Sequence, residues 1–147
     1  GLSYTDLKTD NVLFKCIDKK NIKTVLGDIG GICKSGQIHI STWTPWEYRN
    51  EVGHVKCCES TMVWCLGVIL TELFNMSTTV FYWDNIYKYD EQTIDGHIET
   101  VCRYKKLSDV YVDKAKKYSL EKLYKDMLNF NPSKRIKLKD IISRINI

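Results

Sequence analysis

From about Thr61 to Asn75 the chain reads as a helix with no broad polar face: Val63, Trp64, Leu66, Val68, Ile69 and Leu70 point to most of its sides. A helix of that kind cannot lie on a surface. It has to be wrapped by the rest of the chain and become the centre of the core. Ser60, just before it, is the expected N-cap. The 147 residues are 44% apolar with only two prolines, enough to build that wrapping and too apolar for disorder by composition. No run of ~18 apolar residues offers a membrane span, and no secretory leader opens the sequence, so an intracellular, cytoplasmic protein with no membrane partner is expected. Without repeats, linkers or low-complexity tracts, residues 1–147 are read as one domain.

The chemistry-bearing residues lie upstream of that helix. Asn11-Val12-Leu13-Phe14 and Lys23-Thr24-Val25-Leu26 are apolar and β-prone, and the polar stretch between them is turn-like, which predicts a hairpin. The hairpin would bring Asn11 beside the turn Gly27-Asp28-Ile29-Gly30. Asp6 and Lys8 precede it on the same short loop. An amide oxygen and a carboxylate, Asn11 and Asp28, are suitable hard ligands for magnesium, which neutralises charge on transferring phosphates. Asp6 supplies a carboxylate to orient an attacking hydroxyl, and Lys8 a point charge for the phosphate. Taken singly, either segment is also an ordinary turn.

Together the segments resemble the protein kinase superfamily, whose catalytic loop reads H-R-D-L-x-x-x-N and whose metal turn reads D-F-G. Tyr4-Thr5-Asp6-Leu7-Lys8-Thr9-Asp10-Asn11 and Asp28-Ile29-Gly30 stand at those places. Further landmarks follow in order. Thr44-Pro45-Trp46-Glu47 is similar to the A-P-E segment, and Val63 to Leu73 is similar to the family's central helix. Asn131-Pro132-Ser133-Lys134-Arg135 is similar to D-P-x-x-R. The resemblance implies a buried ion pair between Glu47 and Arg135.

It also implies a serine/threonine protein kinase that binds ATP and Mg2+ and acts on a protein substrate. Asp6 and Lys8 would be catalytic, Lys8, Asn11 and Asp28 would hold the nucleotide, and Asn11 and Asp28 would ligate metal. The implied fold is mainly α (α+β): the large C-terminal lobe of a kinase, a helical bundle with short β-hairpins near the catalytic loop. The N-terminal lobe is expected to be absent, since no glycine-rich phosphate loop or strand lysine can be found. The Lys-, Ile-, Asn- and Tyr-rich composition looks like kinases of large DNA viruses of eukaryotes, which would place the protein in host cytoplasm or virion. The alternative implied function is a pseudokinase or truncated kinase mimic acting as a binding module.

Two departures from the family pattern bear on control. Thr5 stands where the family has the arginine that pairs with an activation-segment phosphate. Met62 stands where an aspartate holds the catalytic-loop backbone, leaving those amides in need of another acceptor. Ser35, Ser41, Thr42 and Thr44 are candidate phosphosites. The six cysteines contain no C-x-x-C pair and are expected to be free thiols, and the three histidines lack ligand spacing. A net charge of +4, with lysines at helical spacing, predicts solvated faces and no specific nucleic-acid site. Further helices are expected near Asp84 to Tyr89, over Asp113 to Asn129 and over Leu138 to Ile147, with Met76 to Asp95 otherwise loop.

Overall fold

The computed structural model describes residues 1–18, 22–74, 77–82 and 84–145. Trp83 and the expected helix ends at Asn75 and Ile147 lie outside the described residues. The chain opens with β1 (Leu2–Tyr4), a single turn of 3-10 helix and the hairpin β2 (Val12–Cys16) and β3 (Ile22–Leu26). The two hairpin strands pair in register from Val12↔Leu26 to Cys16↔Ile22. After the Asp28 turn come β4 (Ile32–Lys34), β5 (Ile38–Ile40) and β6 (His54–Lys56). β4 returns to pair with β1, and β5 pairs with β6, both antiparallel.

The central helix, α1, runs Glu59–Leu73. Its buried residues, among them Val63, Trp64, Cys65, Gly67, Val68 and Thr71, point in nearly every direction. Trp64, Cys65, Val68 and Ile69 enter the main core with Tyr4, Leu7, Trp43 and Phe81, whereas Val63 enters a second cluster with Tyr118, Leu123, Met127 and Ile141. The helix therefore separates two cores, which is why its sequence lacks a polar face. Ser60 is not its cap: Cys58 holds that place without a side-chain bond. The Ser60 hydroxyl instead donates to the Pro132 carbonyl at 3.3 Å and accepts from Arg135 at 2.9 Å.

Three more helices complete the packing. α2 (Glu91–Tyr104) is capped by the Asp90 carboxylate, which accepts from the Thr93 amide at 2.7 Å, and buries Ile94, Ile98, Val101 and Cys102 at helical spacing. The short strands β7 (Tyr111–Asp113) and β8 (Tyr118–Ser119) precede α3 (Leu120–Met127) and α4 (Leu138–Ile145). α3 meets α1 closely at Gly67. A Cβ there would sit 2.8 Å from the Leu128 side chain, so only glycine allows the approach. The Thr71 hydroxyl bonds to that of Tyr124 across the same contact.

This architecture corrects the expected fold class. Instead of a mainly α helical bundle with hairpins confined to the catalytic loop, four α-helices share the described residues with four two-stranded antiparallel sheets. One sheet, β7–β8, interrupts the helix expected over Asp113 to Asn129. The chain reverses at Lys117, whose φ is +50°, and the Asp113 carboxylate accepts from the Lys116 amide at 3.1 Å. The apolar period read through Ala115 therefore spans a hairpin and only then a helix. Among the described residues, the region read as loop before Asp95 contains two 3-10 turns, Thr79–Phe81 and Ile86–Lys88, followed by the start of α2.

The cysteine expectation is corrected as well. Cys33 and Cys57 form a disulfide across 24 residues, while Cys16, Cys58, Cys65 and Cys102 are free. β4 carries Cys33 and the strand end after β6 carries Cys57, so sheet pairing brings together two residues that spacing alone could not match.

Candidate functional site

The loop from Tyr4 to Asn11 is short and lies against the core through Tyr4 and Leu7, which are only 5% exposed. Burying residues on either side of Asp6 fixes the carboxylate on rigid backbone. Lys8 Nζ donates to Asp6 Oδ2 at 2.8 Å, and the Thr42 hydroxyl donates to Asp6 Oδ1 at 2.7 Å. Asn11 Nδ2 donates to the Asp6 carbonyl at 2.9 Å and more distantly to Oδ2 at 3.4 Å. Burial pulls the Asp6 carboxyl upward, but the bonds from Lys8 and Thr42 outweigh it and hold the group below the usual carboxylate range. Asp6 is thus an ionised acceptor. The bond to Asp6, against partial burial, raises the Lys8 ammonium above its ordinary value, so it keeps its charge.

The hairpin brings Asn11 to the Asp28 turn, as its period implies: the Gly27 amide donates to the Asn11 carbonyl at 2.8 Å. The Tyr4 hydroxyl clasps the same turn, donating to the carbonyls of Gly27 at 3.0 Å and Asp28 at 2.9 Å. Burial raises the Tyr4 hydroxyl above its ordinary value, keeping it a neutral donor. Asp28 itself adopts the left-handed region, with φ +45°, a strained place for a residue with a side chain. Among the described residues, its Oδ1 accepts only a long bond, 3.4 Å, from the Gly30 amide. Asp6, Lys8 and Asn11 therefore touch one another. Among the described residues, the Asp28 carboxylate is hydrogen-bonded to none of the three, although its charge is felt by Lys8 and Tyr4.

Such an arrangement suits a hard cation. Asn11 uses its amide nitrogen on Asp6, which leaves the amide oxygen, the atom that ligates metal, uncommitted to it. Asp28 Oδ2 is the second oxygen of the set, and one carboxylate with one amide is what magnesium needs when waters and phosphates complete its shell. No group of three or more His, Cys, Asp or Glu residues that could hold a metal by itself occurs among the described residues.

Three contributors were not visible as site residues in the sequence. Thr42, a candidate phosphosite in the sequence, caps Asp6. Tyr4, at the place of the motif's histidine, ties two loops together. Gly31 lies so close beneath them that a Cβ would stand 2.8 Å from Tyr4 Cδ2 and 3.0 Å from Asp6 Cβ. Only the doublet Gly30-Gly31 hinted at that approach.

The implied pair between Glu47 and Arg135 is present and bidentate, at 3.0 and 2.8 Å. Arg135 is 3% exposed, and its guanidinium also donates to the carbonyls of Asn129 and Ser60 and lies over the Trp64 ring. Glu47 follows Trp46 in the segment that leads back from Thr42, so this anchor fixes the far end of the segment that caps Asp6. Among the described residues no helix is long and apolar enough to cross a membrane.

No curated protein matches the chain. The family model of the protein kinase domain matches residues 1–145, nearly the whole length. With a match of that extent, the chain belongs to the protein kinase domain family.

Proposed function

We propose that this chain, a kinase-like unit over residues 1–147, carries the residues that transfer the γ-phosphoryl group of ATP to serine or threonine hydroxyls of a protein substrate once the missing N-terminal lobe completes the nucleotide site, and that residues 1–147 alone are inactive. The observation that carries the reading is the environment of Asp6, a carboxylate held ionised and already bonded through Oδ1 to an aliphatic hydroxyl, that of Thr42. A substrate hydroxyl placed against Asp6 would be oriented in the same manner and would give its proton to the carboxylate as its oxygen takes the phosphoryl group. Positioning is the larger part of that task, because the transition state of phosphoryl transfer is loose and demands little basicity.

Lys8, bonded to Asp6 Oδ2, places its positive charge beside the attacking oxygen and would contact the transferring phosphate. Asn11 and Asp28 would hold Mg2+ through their oxygens. Bound there with ATP, the metal supplies electrostatic stabilisation of the phosphate charge. Tyr4, through its two bonds to the turn, keeps the Asp28 backbone in register with the Asp6 loop.

A second reading has its own support. Phe14 and Ile29 are 71% and 72% exposed, and Leu13, Val25 and Leu26 leave both faces of the β2–β3 ribbon apolar and exposed. A pseudokinase or kinase mimic that binds through this ribbon, without transfer, would use that surface. The deciding experiment is magnesium-dependent transfer of labelled γ-phosphate to a basic protein by the full-length parent chain, with Asp28→Ala and Asp6→Asn proteins alongside. Transfer that disappears in both variants supports the enzyme. A folded protein that neither transfers phosphate nor binds ATP with magnesium sinks that reading and leaves the binding module.

A further inference from the structure

The Cys33–Cys57 disulfide closes a loop that contains Ser41 and Thr42, two residues that bond to the catalytic loop. Within it, Thr42 caps the Asp6 carboxylate, and the Ser41 hydroxyl donates to the Thr5 carbonyl at 2.7 Å and the Trp43 carbonyl at 3.0 Å. Cys33 also touches the catalytic loop directly, since the Thr5 hydroxyl lies 3.8 Å from its sulfur. At the other end, Cys57 is fixed between the backbones of Gly36 and Gln37, with bonds of 2.8 and 2.7 Å.

Control of this segment by phosphorylation has little to work with. Thr5, in place of an arginine, is fully buried and spends its hydroxyl on His39 and the Ile40 carbonyl. Ser41 and Thr44 are 0% exposed, and the Thr42 hydroxyl is committed to Asp6. Of the four candidate phosphosites only Ser35 is exposed, in the turn between β4 and β5. A covalent link is therefore the strongest constraint on the segment.

We propose that the oxidation state of Cys33 and Cys57, rather than phosphorylation, sets the order of residues 34–56 and with it the placement of Ser41 and Thr42 on the catalytic loop. In the oxidised form the segment is clamped at both ends. A dithiol reductant gives up two electrons and two protons, closing to its own disulfide, and Cys33 and Cys57 become two thiols. Both sulfurs are almost fully buried, 5% and 0% exposed by residue, so reduction proceeds through opening of the β4 edge. Once reduced, the Cys33 thiol has the Ser3 carbonyl, 3.7 Å away, as an acceptor, a bond that the disulfide sulfur cannot donate. The link between this clamp and activity rests on the phosphotransfer reading; the clamp itself does not.

The test uses the whole chain in three forms: air-oxidised, treated with dithiothreitol, and the double variant Cys33→Ser, Cys57→Ser. Alkylation and non-reducing peptide mapping should find Cys33 joined to Cys57 in the first form only. Amide exchange followed by mass spectrometry should then be at least about tenfold faster at Ser41 and Thr42 in the second and third forms, with α2 and α4 unchanged. Free thiols or a different pairing in the oxidised form would overturn the proposal, as would equal exchange in all three. Exchange accelerated everywhere alike would also overturn it, because the bond would then be a general staple. Phosphate transfer by the full-length parent chain is measured in parallel in the same three forms. A slower-exchanging oxidised segment without transfer in any form counts against the phosphotransfer reading alone, whereas equal transfer in all forms overturns the control.

Discussion

Replacing Glu47 by glutamine is the most demanding test of how the activation-segment side of the site is anchored. The substitution keeps shape and removes one charge, leaving the Arg135 guanidinium, whose side chain has no exposure, without a counter-ion. Breaking a buried pair costs roughly 3–5 kcal/mol. Here Arg135 retains the Asn129 carbonyl at 3.0 and 2.8 Å and the Ser60 carbonyl at 2.9 Å, and the Glu47 side chain is itself 18% exposed. Those surviving acceptors place the expected loss at the lower end, about 3 kcal/mol, or a fall in Tm of about 6–12 °C for a chain of this size. Calorimetry at low and high salt supplies the readout. Because the pair is poorly solvated, 1 M salt should change the shift little. A fall of less than 2 °C, or one that vanishes in salt, would refute the reasoning and make the pair an ordinary surface contact. Arg135→Met combined with Glu47→Gln should recover part of the loss, since the double change leaves no buried charge.

Other perturbations probe the remaining contacts. Gly31→Ala should force Tyr4 and Asp6 apart and cost about 1–3 kcal/mol by thermal melting, with a larger loss of phosphate transfer than Gly96→Ala, where a Cβ meets nothing. Val52 holds φ +47° with its side chain 64% exposed, so Val52→Gly should raise Tm by a few degrees, about 1 kcal/mol of relieved strain. Burial holds the His97 imidazole below its ordinary value, so its contribution to stability is complete above the unfolded value of ~6.5 and is lost as pH falls through the folded one. Tm measured from pH 7.5 to 5 should fall less steeply in His97→Phe. Asp6 is also depressed, so its contribution is complete above ~3.9 and is lost on further acidification; Asp6→Asn should flatten that part of the acid limb.

The parts of the fold that sequence could foretell are those in which local pattern and tertiary role agree. The centrality of α1 was legible because a helix without a polar face has one physical solution, and the β2–β3 hairpin because its two apolar runs flank a polar turn. Asp6, Lys8 and Asn11 were legible as neighbours because three or fewer residues separate each from the next. Pairing across longer distances was not. Nothing in Leu2-Ser3-Tyr4 says that it will pair with Ile32-Cys33-Lys34, and that pairing in turn carries Cys33 toward Cys57. The helix read over Asp113 to Asn129 failed for the opposite reason: alternation in two short strands and the first turn of α3 happened to sum to a helical stripe. Thr42 was invisible as a contact of Asp6 because a hydroxyl takes its meaning from what the fold places opposite it.

Met62 shows how the catalytic loop keeps its shape when an expected acceptor is missing. At that position an aspartate would hold the loop by accepting from its amides; Met62 instead packs against the main core. The loop is held from the other polarity. The Thr5 carbonyl receives the Ser41 hydroxyl at 2.7 Å and lies 3.7 Å from the Cys65 sulfur, three positions along α1 from Met62. Burial pushes the Cys65 thiol up to about 12, so it remains a protonated donor at any physiological pH. The Thr5 amide donates to the Gly31 carbonyl at 3.1 Å, and Asn11 returns a bond to the Asp6 carbonyl. Donors aimed at loop carbonyls, with the Gly31 carbonyl as acceptor for the Thr5 amide, thus hold the loop in the absence of the aspartate, and Cys65→Val, which keeps the volume and removes one donor, should loosen Thr5 to Leu7 without disturbing α1. Amide exchange reads this directly: faster exchange confined to that loop agrees with the assignment, and unchanged exchange would mean that Ser41 alone holds the carbonyl.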